Sequence, residues 1–383
     1  MKLNKLSLLV FALVILLFSN CTKKEDASLV DVNAKFDLGK TVSRSFKGTV
    51  VDQNNVALSN VTVTMNGKSV VTDANGVFVM SNVSVKERFA YMVATKQGFF
   101  DGSRTMMTHN GLNTLKIMMV PANVTKTIQT GVVSTVVLGN TSVQFDGSFS
   151  TELGSIYTGA VKVYMMDMPA NDPNVFSIMP GSLLAVDAQG EYRGLETFGM
   201  VNVELKGSNN QKLQLTTGHN AKITMNIVSG KLEVAPNQIP MWFFDEANGL
   251  WKEEGFSTKV GNKYVGNVAH FTRWNNDWAF TVAQLIVTAK NDDGTPVNNV
   301  RCEIFRPSVT GTPDHWNVPL ISLGVTSPNG TLSAGVPINE GFIFRAYDPI
   351  TGVLVFEEPL PASSAMVRNV DIVFGSINRQ AGN

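Results

Sequence analysis

Apolar and polar residues alternate along most of the chain beyond its N-terminal segment. Val61, Val63 and Met65 alternate with threonines, and residues 201–205 repeat the pattern. A period of two places the apolar side chains on one face of a β-strand. Turn-forming dipeptides separate the alternating runs: Asn66-Gly67, Asn75-Gly76, Asn248-Gly249, Asp293-Gly294 and Asn329-Gly330. Because no amphipathic helical pattern extends beyond about ten residues, the chain is predicted to be all-β, with tandem β-sandwich domains.

Residues 1–20 have the pattern of an export signal. Two lysines precede an apolar run over 6–18, which is too short to cross a membrane comfortably as a helix. Cys21 follows, and the segment resembles the lipobox of bacterial lipoproteins, in which this cysteine is acylated, although Phe18 and Asn20 depart from the commonest form. We expect a lipoprotein signal peptide with acylation of Cys21. The alternative is an ordinary signal peptide followed by an incidental cysteine.

A lipid anchor determines how such a protein meets the membrane. Each buried methylene contributes roughly 0.8 kcal/mol, so two or more acyl chains on Cys21 would anchor it stably. No later apolar run approaches the length of a spanning helix. Lys24, Glu25 and Asp26 resemble the export signal that sends some lipoproteins to the outer leaflet. We expect an outer-membrane protein on the cell surface, with the periplasmic face as the alternative, and a flexible tether over 21–44.

An internal repeat divides the exported chain. Residues 46–63 recur at 285–302, and a turn motif follows each copy, at 72–76 and at 326–330. Two similar domains therefore flank a different centre. The predicted units are a β-sandwich at 45–121, a central β-rich module at 122–280, a second β-sandwich at 281–376 and a tail at 377–383.

Three motifs in the first copy point to a known family. They are Gly48-Thr49-Val50, the Thr-Asp-x-x-Gly-x-Phe pattern of 72–78, and Lys96-Gln97-Gly98-Phe99. In this order they resemble the carboxypeptidase regulatory-like domain, which implies a prealbumin-like sandwich of seven strands. The second copy matches less well and carries an insertion at 307–319. The resemblance implies no peptidase activity, because this domain also occurs as a structural module.

The centre has motifs of its own. Met179-Pro180-Gly181-Ser182-Leu183 and the aromatic segments at 239–245 and 249–255 stand out from the surrounding sequence. Together they resemble a module of bacterial surface lipoproteins and, more distantly, of cartilage intermediate layer protein. The resemblance implies an extracellular protein with a structural or adhesive role. This centre is either one domain or two units joined near 231–240.

The sequence carries few signs of catalytic chemistry. Acidic and basic residues number 31 each, without the basic clusters that nucleic-acid binding requires. None of the four histidines has the partner spacing of a zinc carboxypeptidase, and no phosphate-binding loop or Gly-x-Ser-x-Gly elbow occurs. Turn formation explains the acidic residues at 73–76 and 292–294 better than calcium ligation. We expect no catalytic residue, cofactor or metal; the alternative is a hydrolase whose site forms from distant strands of the central module.

Tryptophans offer the best sign of a ligand. Trp242, Trp251 and Trp274 belong to the motifs of the central module, and we expect them in its core. Trp278 follows Asn275-Asn276-Asp277, and aromatic faces beside amide and acid groups suit sugar rings.

A loop in the second copy offers a further contact. Trp316 and His315 lie in a proline-bounded loop, where an exposed tryptophan suggests contact with a ligand or partner. Cys302 alternates with apolar residues and is expected to be buried and unreactive. The predicted function is a non-enzymatic surface lipoprotein with a structural or adhesive role. The binding alternative is capture of a glycan by the loop aromatics. The expected partners are the membrane, through the acyl chains, and a glycan or surface protein.

Overall fold

The computed structural model describes residues 35–305, 307 and 321–374. Within them the chain forms 26 β-strands and two helices of four residues each, α1 (Val175–Ile178) and α2 (Ser229–Leu232). The predicted all-β class is therefore confirmed. No helix in this part of the chain has the length and apolarity needed to cross a membrane.

Residues 41–118 form a two-sheet sandwich, here called the first repeat. Its strands are β1 (Thr41–Val51), β2 (Thr62–Met65), β3 (Lys68–Val71), β4 (Val77–Lys86), β5 (Ala90–Thr95), β6 (Gly102–Met106) and β7 (Leu112–Met118). One sheet has the order β4-β1-β7 and the other β3-β2-β5-β6. Strand β1 pairs antiparallel with β4 and parallel with β7. Phe46, Val63, Phe78 and Met92 are buried in its core, so the alternating pattern supplies its apolar face.

The central region forms one connected sheet. Its strands are β8 (Val124–Gln129), β9 (Ser134–Leu138), β10 (Thr141–Phe145), β11 (Phe149–Thr151), β12 (Ala160–Met168), β13 (Leu184–Val186), β14 (Tyr192–Lys206), β15 (Lys212–Leu215), β16 (Ala221–Asn226), β17 (Gln238–Asp245), β18 (Leu250–Val260), β19 (Lys263–Val268) and β20 (Arg273–Asn291). The main path runs β11-β15-β14-β20-β17-β18-β19-β16-β10-β9. Strands on both sides of 231–240 pair, β14 with β20 and β16 with β19. The segment 231–240 therefore joins parts of one sheet.

Strand β20 continues from the central region into a further sandwich, here called the second repeat. Its other strands are β21 (Arg301–Phe305), β22 (Ile321–Val325), β23 (Thr331–Pro337), β24 (Phe342–Tyr347), β25 (Leu354–Leu360) and β26 (Val367–Phe374). The C-terminal half of β20 pairs antiparallel with β23 and parallel with β26, as β1 does with β4 and β7. The facing sheet has the order β22-β21-β24-β25. The internal repeat read from the sequence is therefore a repeat of strand topology, whereas its exact boundaries stay a prediction.

Both repeats contain the same hydrogen-bonded turn. The Thr72 hydroxyl accepts from a backbone N–H at 3.0 Å and donates to a backbone carbonyl at 2.7 Å. The Thr326 hydroxyl does the same at 3.0 and 2.8 Å. Gly76 and Gly330 follow with φ of +69° and +71°, in the left-handed region that favours glycine. The turn predicted at Asn75-Gly76 is confirmed.

Residues 35–44, which the sequence analysis placed in a tether, belong to the folded body. Strand β1 begins at Thr41, inside the segment predicted to be a tether. Before it, the Phe36 ring packs edge-on against Tyr192 at 5.8 Å between centroids, and the Lys35 ammonium lies 2.5 Å from a Glu191 carboxylate oxygen. The tether prediction is wrong for 35–44, because these residues alternate weakly in sequence yet find partners distant in sequence. Cys21, Lys24, Glu25 and Asp26 lie outside the described residues, as do His315, Trp316 and the tail.

Candidate functional site

Three of the tryptophans hold the core of the central region. Trp242, Trp251 and Trp274 are completely buried. Their indole N–H groups donate to backbone carbonyls at 3.1, 2.9 and 3.0 Å, respectively. A buried indole is stable when its one donor is satisfied, so the prediction that these residues pack the core is confirmed.

Trp278 differs from these three, because 43% of it is exposed on β20. The polar residues that precede it in the sequence are buried. Asn275, Asn276 and Asp277 are at most 1% exposed, because β14 and β17 flank this part of β20. Their interpretation as sugar-facing groups beside Trp278 is therefore wrong. A ligand-contact role of Trp278 itself stays a prediction.

The acidic turns have the structural role predicted for them. The Asp73 carboxylate accepts from two backbone N–H groups of its own turn, at 2.9 and 2.8 Å. The Asp293 carboxylate accepts from the backbone N–H and the hydroxyl of Thr295. No group of three metal-ligating side chains occurs among the described residues. Cys302 is buried as expected, and burial raises the pKa of its thiol.

The first repeat is hydrogen-bonded to a loop of the central region, residues 177–183. Arg104 on β6 donates to the carbonyl of Met179 at 2.8 Å and also to the carbonyl of Ser177. The Ser103 hydroxyl accepts from the backbone N–H of Gly181 at 3.0 Å. Burial lowers the pKa of Arg104 to about 10, and its hydrogen bonds to carbonyls satisfy the guanidinium without a carboxylate. The loop that stands out in the sequence as Met-Pro-Gly-Ser-Leu is therefore a docking surface within the molecule.

Three segments at one end of the central region, of which the middle one includes β11, form a second surface, here called the distal tip. It comprises residues 130–133, 146–158 and 216–219. The backbone N–H of Gly131 donates to the carbonyl of Gly147 at 2.8 Å, which joins the first two loops. A cleft of about 440 Å³ lies among all three.

Apolar side chains project from the distal tip into solvent. Val132 is 54% exposed, Val133 66%, Ile156 80% and Leu153 95%. Single exposed apolar residues are normal on protein surfaces, whereas several on adjoining loops beside a cleft indicate an interaction surface. This surface has no signature in the sequence, because the four residues lie in two separate short segments.

The distal tip lies far from the point where the N-terminal segment joins the body. Strand β14 connects the two places: Tyr192 at its start packs against Phe36, whereas Ser208 just beyond its end donates its backbone N–H to the Tyr157 hydroxyl at 2.9 Å. Fifteen residues of β-strand extend at most about 50 Å at roughly 3.3 Å per residue, and the irregularity between Thr197 and Met200 shortens the span. The exposed apolar loops therefore lie near the end of β14 opposite the chain's N-terminal attachment.

Asp146 and His219 form a hydrogen-bonded pair at the distal tip. Asp146 accepts from the Nδ1 of His219 at 2.6 Å. Partial burial opposes ionisation of this carboxyl, but hydrogen bonds from the Ser148 backbone N–H and from His219 outweigh it and lower the pKa of Asp146. No hydroxyl among the described residues hydrogen-bonds the other nitrogen of His219.

A buried polar cluster lies between β14, β20 and α2. The Lys231 ammonium is 2.9 Å from a Glu196 carboxylate oxygen, with both side chains at most 5% exposed. Asp277, across from Thr197 on the paired strand, is completely buried. Burial raises the pKa of this carboxyl well above its usual value. This cluster could not be predicted from the sequence, because its members lie far apart along the chain.

Comparison with known proteins finds little sequence similarity. No protein-family profile matches the chain. A segment of 118 residues is 25% identical to human cartilage intermediate layer protein 2, covering 30% of this chain and 10% of that protein. The chain thus spans about a tenth of that relative, which belongs to the group that the central motifs resemble.

Among solved structures, the similar chains include bacterial surface proteins. The major pilin BcpA of Bacillus cereus is 8% identical, with 87% of this chain and 99% of that chain covered and a TM-score of 0.17. The major pilin SpaD of Corynebacterium diphtheriae is 10% identical, with 90% and 99% covered and a TM-score of 0.18. A putative membrane-associated protein of Bacteroides fragilis is 9% identical, with 63% and 99% covered and a TM-score of 0.18. These scores are too low to define a shared fold.

Proposed function

We propose that this chain is a lipid-anchored bacterial surface protein with an adhesive role, in which β-sandwich repeats carry the distal tip away from the membrane. Its N-terminal segment resembles a lipoprotein signal with Cys21 as the acylated residue. The body that follows is all-β, and Lys35 already contacts Glu191 of the central region. The short segment between Cys21 and Lys35 would connect the lipid anchor to the folded body.

The observation that carries this proposal is the placement of the distal tip. Leu153 and Ile156 expose most of their surface beyond one end of β14, whereas Phe36 packs at the other end of this strand, whose length is at most about 50 Å. Exposed apolar side chains cost solubility unless a partner covers them. An apolar patch on another protein is the partner that suits aliphatic side chains, because sugar rings favour aromatic faces.

Attachment of cells to a gelatin-coated surface tests this role. Replacing both Leu153→Asp and Ile156→Asp adds charge to the patch without touching the core, and should lower attachment at least tenfold. Val71→Asp is the matched control, because Val71 is 60% exposed on the first repeat. Surface amounts are equalised by antibody labelling. Equal attachment of the tip variant and the control would reject the tip as the adhesive surface.

Anchoring is tested separately. Cys21→Ala removes the thiol that accepts the acyl chains and should abolish metabolic palmitate labelling. Palmitate labelling that persists in this variant would contradict the lipoprotein assignment. Replacing Lys24, Glu25 and Asp26 together by Ala should keep the label but lower protease sensitivity on intact cells, and unchanged sensitivity would show that these residues are only a linker.

Glycan capture is the second candidate, favoured by the exposed face of Trp278. Because 43% of this residue is exposed, its indole can stack on a sugar ring. Trp278→Ala and Trp316→Ala should each lower attachment to a polysaccharide-coated surface. Phe256→Ala is the control, since Phe256 is 53% exposed on β18. Unchanged attachment of both tryptophan variants would reject glycan capture.

A further inference from the structure

Four aliphatic side chains, here called the basal surface, lie exposed at the turn between β24 and β25. Ile350 is 77% exposed, Val353 61%, Leu354 42% and Val355 46%. Asp348 fixes this turn, because its carboxylate accepts from two backbone N–H groups of the turn at 2.9 and 2.8 Å. Residues 350–355 include no charged side chain. Four neighbouring aliphatic residues without a charge among them indicate an interaction surface.

The corresponding turn of the first repeat is covered. It joins β5 to β6, which hold the same places in their sheet as β24 and β25 hold in theirs. Phe100 in this turn is 2% exposed and belongs to a core that includes residues of the central region. In the second repeat the corresponding side chains face solvent. The same end of the sandwich is therefore an interface in one repeat and an uncovered surface in the other.

The basal surface and the distal tip lie toward opposite ends of β20. At the start of this strand, Arg273 pairs with Asn202, close to the end of β14 where the distal tip is attached. Near its other end, the carbonyl of Ala289 accepts from the segment that leads into β21. The first residue of β21, Arg301, pairs with Tyr347, the last residue of β24. A distal tip directed away from the membrane therefore directs the basal surface toward it.

The chain from Cys21 to Lys35 is long enough for the basal surface to reach a bilayer. Lys35 contacts Glu191, two positions before the residue that pairs with Thr281 of β20. The part of β20 beyond Thr281 extends at most about 33 Å at roughly 3.3 Å per residue. The chain between Cys21 and Lys35 can extend at most about 50 Å. An anchor at Cys21 is therefore compatible with contact between the basal surface and the same bilayer.

We propose that the basal surface contacts the lipid bilayer in which Cys21 is anchored, so that the second repeat rests on the membrane. This inference rests on the lipid anchor of the proposed function. Aliphatic side chains bind the boundary between headgroups and acyl chains through the apolar area that they bury. Because the anchor holds the protein at the bilayer, the second contact forms at a high effective concentration and requires little affinity of its own.

The residues beside the turn suit this boundary. Tyr347 lies next to the turn, and the Arg301 guanidinium is 3.7 Å from the centre of its ring. Tyrosine favours the polar boundary of a bilayer, and arginine can keep its charge in water while its stem lies on apolar surface. Since residues 350–355 are uncharged, the contact should depend on apolar area and should persist in high salt.

Fluorescence quenching in vesicles tests the contact. Ile350→Cys places a thiol on the basal surface, whereas the native Cys302 is buried. The full acylated chain, purified from the cells and labelled with an environment-sensitive fluorophore, is reconstituted in phosphatidylcholine vesicles with or without a nitroxide on the acyl chains. The nitroxide should lower the fluorescence at least twofold. The same label on Leu153→Cys at the distal tip is the control, and its fluorescence should not change.

The possible outcomes separate this contact from the anchor itself. If the protein floats with the vesicles but the two labels respond equally to the nitroxide, the contact is overturned and the anchor stands. Loss of flotation would contradict the anchor and, with it, the contact. A blue shift of the Ile350→Cys label without quenching would show that protein, such as a second copy of the chain, covers the surface, and would overturn the proposal.

A second substitution tests the apolar basis of the contact. Val353→Asp, added to labelled Ile350→Cys, should reduce the quenching at least twofold, because a carboxylate resists transfer out of water. Val71→Asp is the matched control, since Val71 is 60% exposed on the first repeat, and should leave the quenching unchanged. Equal quenching in both variants, or loss of quenching in high salt, would contradict a contact made by aliphatic side chains.

Discussion

The two repeats have the same strand topology but are attached to the central region in different ways. The first meets the centre through side chains. Arg104 and Ser103 on β6 bond the backbone of loop 177–183, and Val51, Phe100 and Met118 belong to a buried core that includes central residues. The second is continuous with it, because the single strand β20 pairs with central strands in one half and with β23 and β26 in the other. A docked domain depends on contacts between side chains, whereas a continuous strand depends on the hydrogen bonds of its backbone. The same sandwich can therefore be fixed in place by two unrelated means.

The shared turn also differs between the repeats in one residue. Asp73 in the first repeat accepts two backbone N–H groups at 2.9 and 2.8 Å. Ser327 holds the corresponding position in the second and accepts its two N–H groups at 3.3 Å each. A carboxylate makes shorter and stronger hydrogen bonds than a hydroxyl. The first repeat thus has the tighter turn, although both require the glycine that ends it.

The largest effect is expected from the turn glycines. A Cβ on Gly76 would lie 2.5 Å from the carbonyl oxygen of Val50, and one on Gly330 2.2 Å from that of Ala289. In Gly76→Val and in Gly330→Val, this clash adds to the strain of positive φ. The two effects should lower the free energy of unfolding of each variant by about 2–5 kcal/mol. Each should lower Tm by about 5 °C or more in a thermal melt of the full chain.

Gly67→Val is the matched control for the clash. Gly67 has φ of +78°, but nothing lies within 4 Å of its Cβ position. Gly67→Val should lower the free energy of unfolding only by the strain of the positive φ, about 1–2 kcal/mol. A Gly330→Val protein that melts like Gly67→Val would show that the second turn does not constrain its repeat as the first does.

An intermediate effect is expected where the first repeat docks. Arg104→Met removes charged hydrogen bonds to two carbonyls and leaves them unpaired, at a cost of about 2–3 kcal/mol. Hydrogen exchange should accelerate in loop 177–183 and in β6 while β23 and β26 remain protected. Arg44→Met is the control, because Arg44 bonds only Ser43 and Thr108 within its own repeat. Equal exchange in both variants would show that Arg104 does not hold the two regions together.

The smallest effect concerns Asp73. Asp73→Ser gives the first turn the residue type of the second and should destabilise the chain by about 0.5 kcal/mol, which is one weakened hydrogen bond. Chemical denaturation measures the difference. A loss as large as that of Gly76→Val would mean that the carboxylate, and not the glycine, determines the turn.

Local sequence signals predicted the repeats well. The turn at 72–76 and its copy at 326–330 are specified by residues close along the chain, and the alternation of β2 is visible in four residues. The burial of Trp242, Trp251 and Trp274 was also predicted, since these residues belong to the motifs of the central module. These features depend on short-range patterns that one sequence displays directly.

Contacts between distant residues were not predictable in this way. Arg104 bonds backbone carbonyls 73 and 75 positions away. Because every residue has a backbone carbonyl, the identity of the accepting residue does not reveal the contact. The segment Asn275-Asn276-Asp277 reads as a polar surface because composition does not reveal that neighbouring strands cover it. Lys231 and Glu196 carry ordinary surface residue types, and only the fold shows that they are buried together.

Display of the distal tip outside the cell is the central claim, and thiol labelling tests it most directly. Leu153→Cys places a thiol on the most exposed apolar residue of the tip, whereas the native Cys302 is buried. A membrane-impermeant maleimide added to intact cells should label Leu153→Cys and leave the parent protein unlabelled. Labelling of the variant only after the cells are broken would contradict display of the tip on the cell surface.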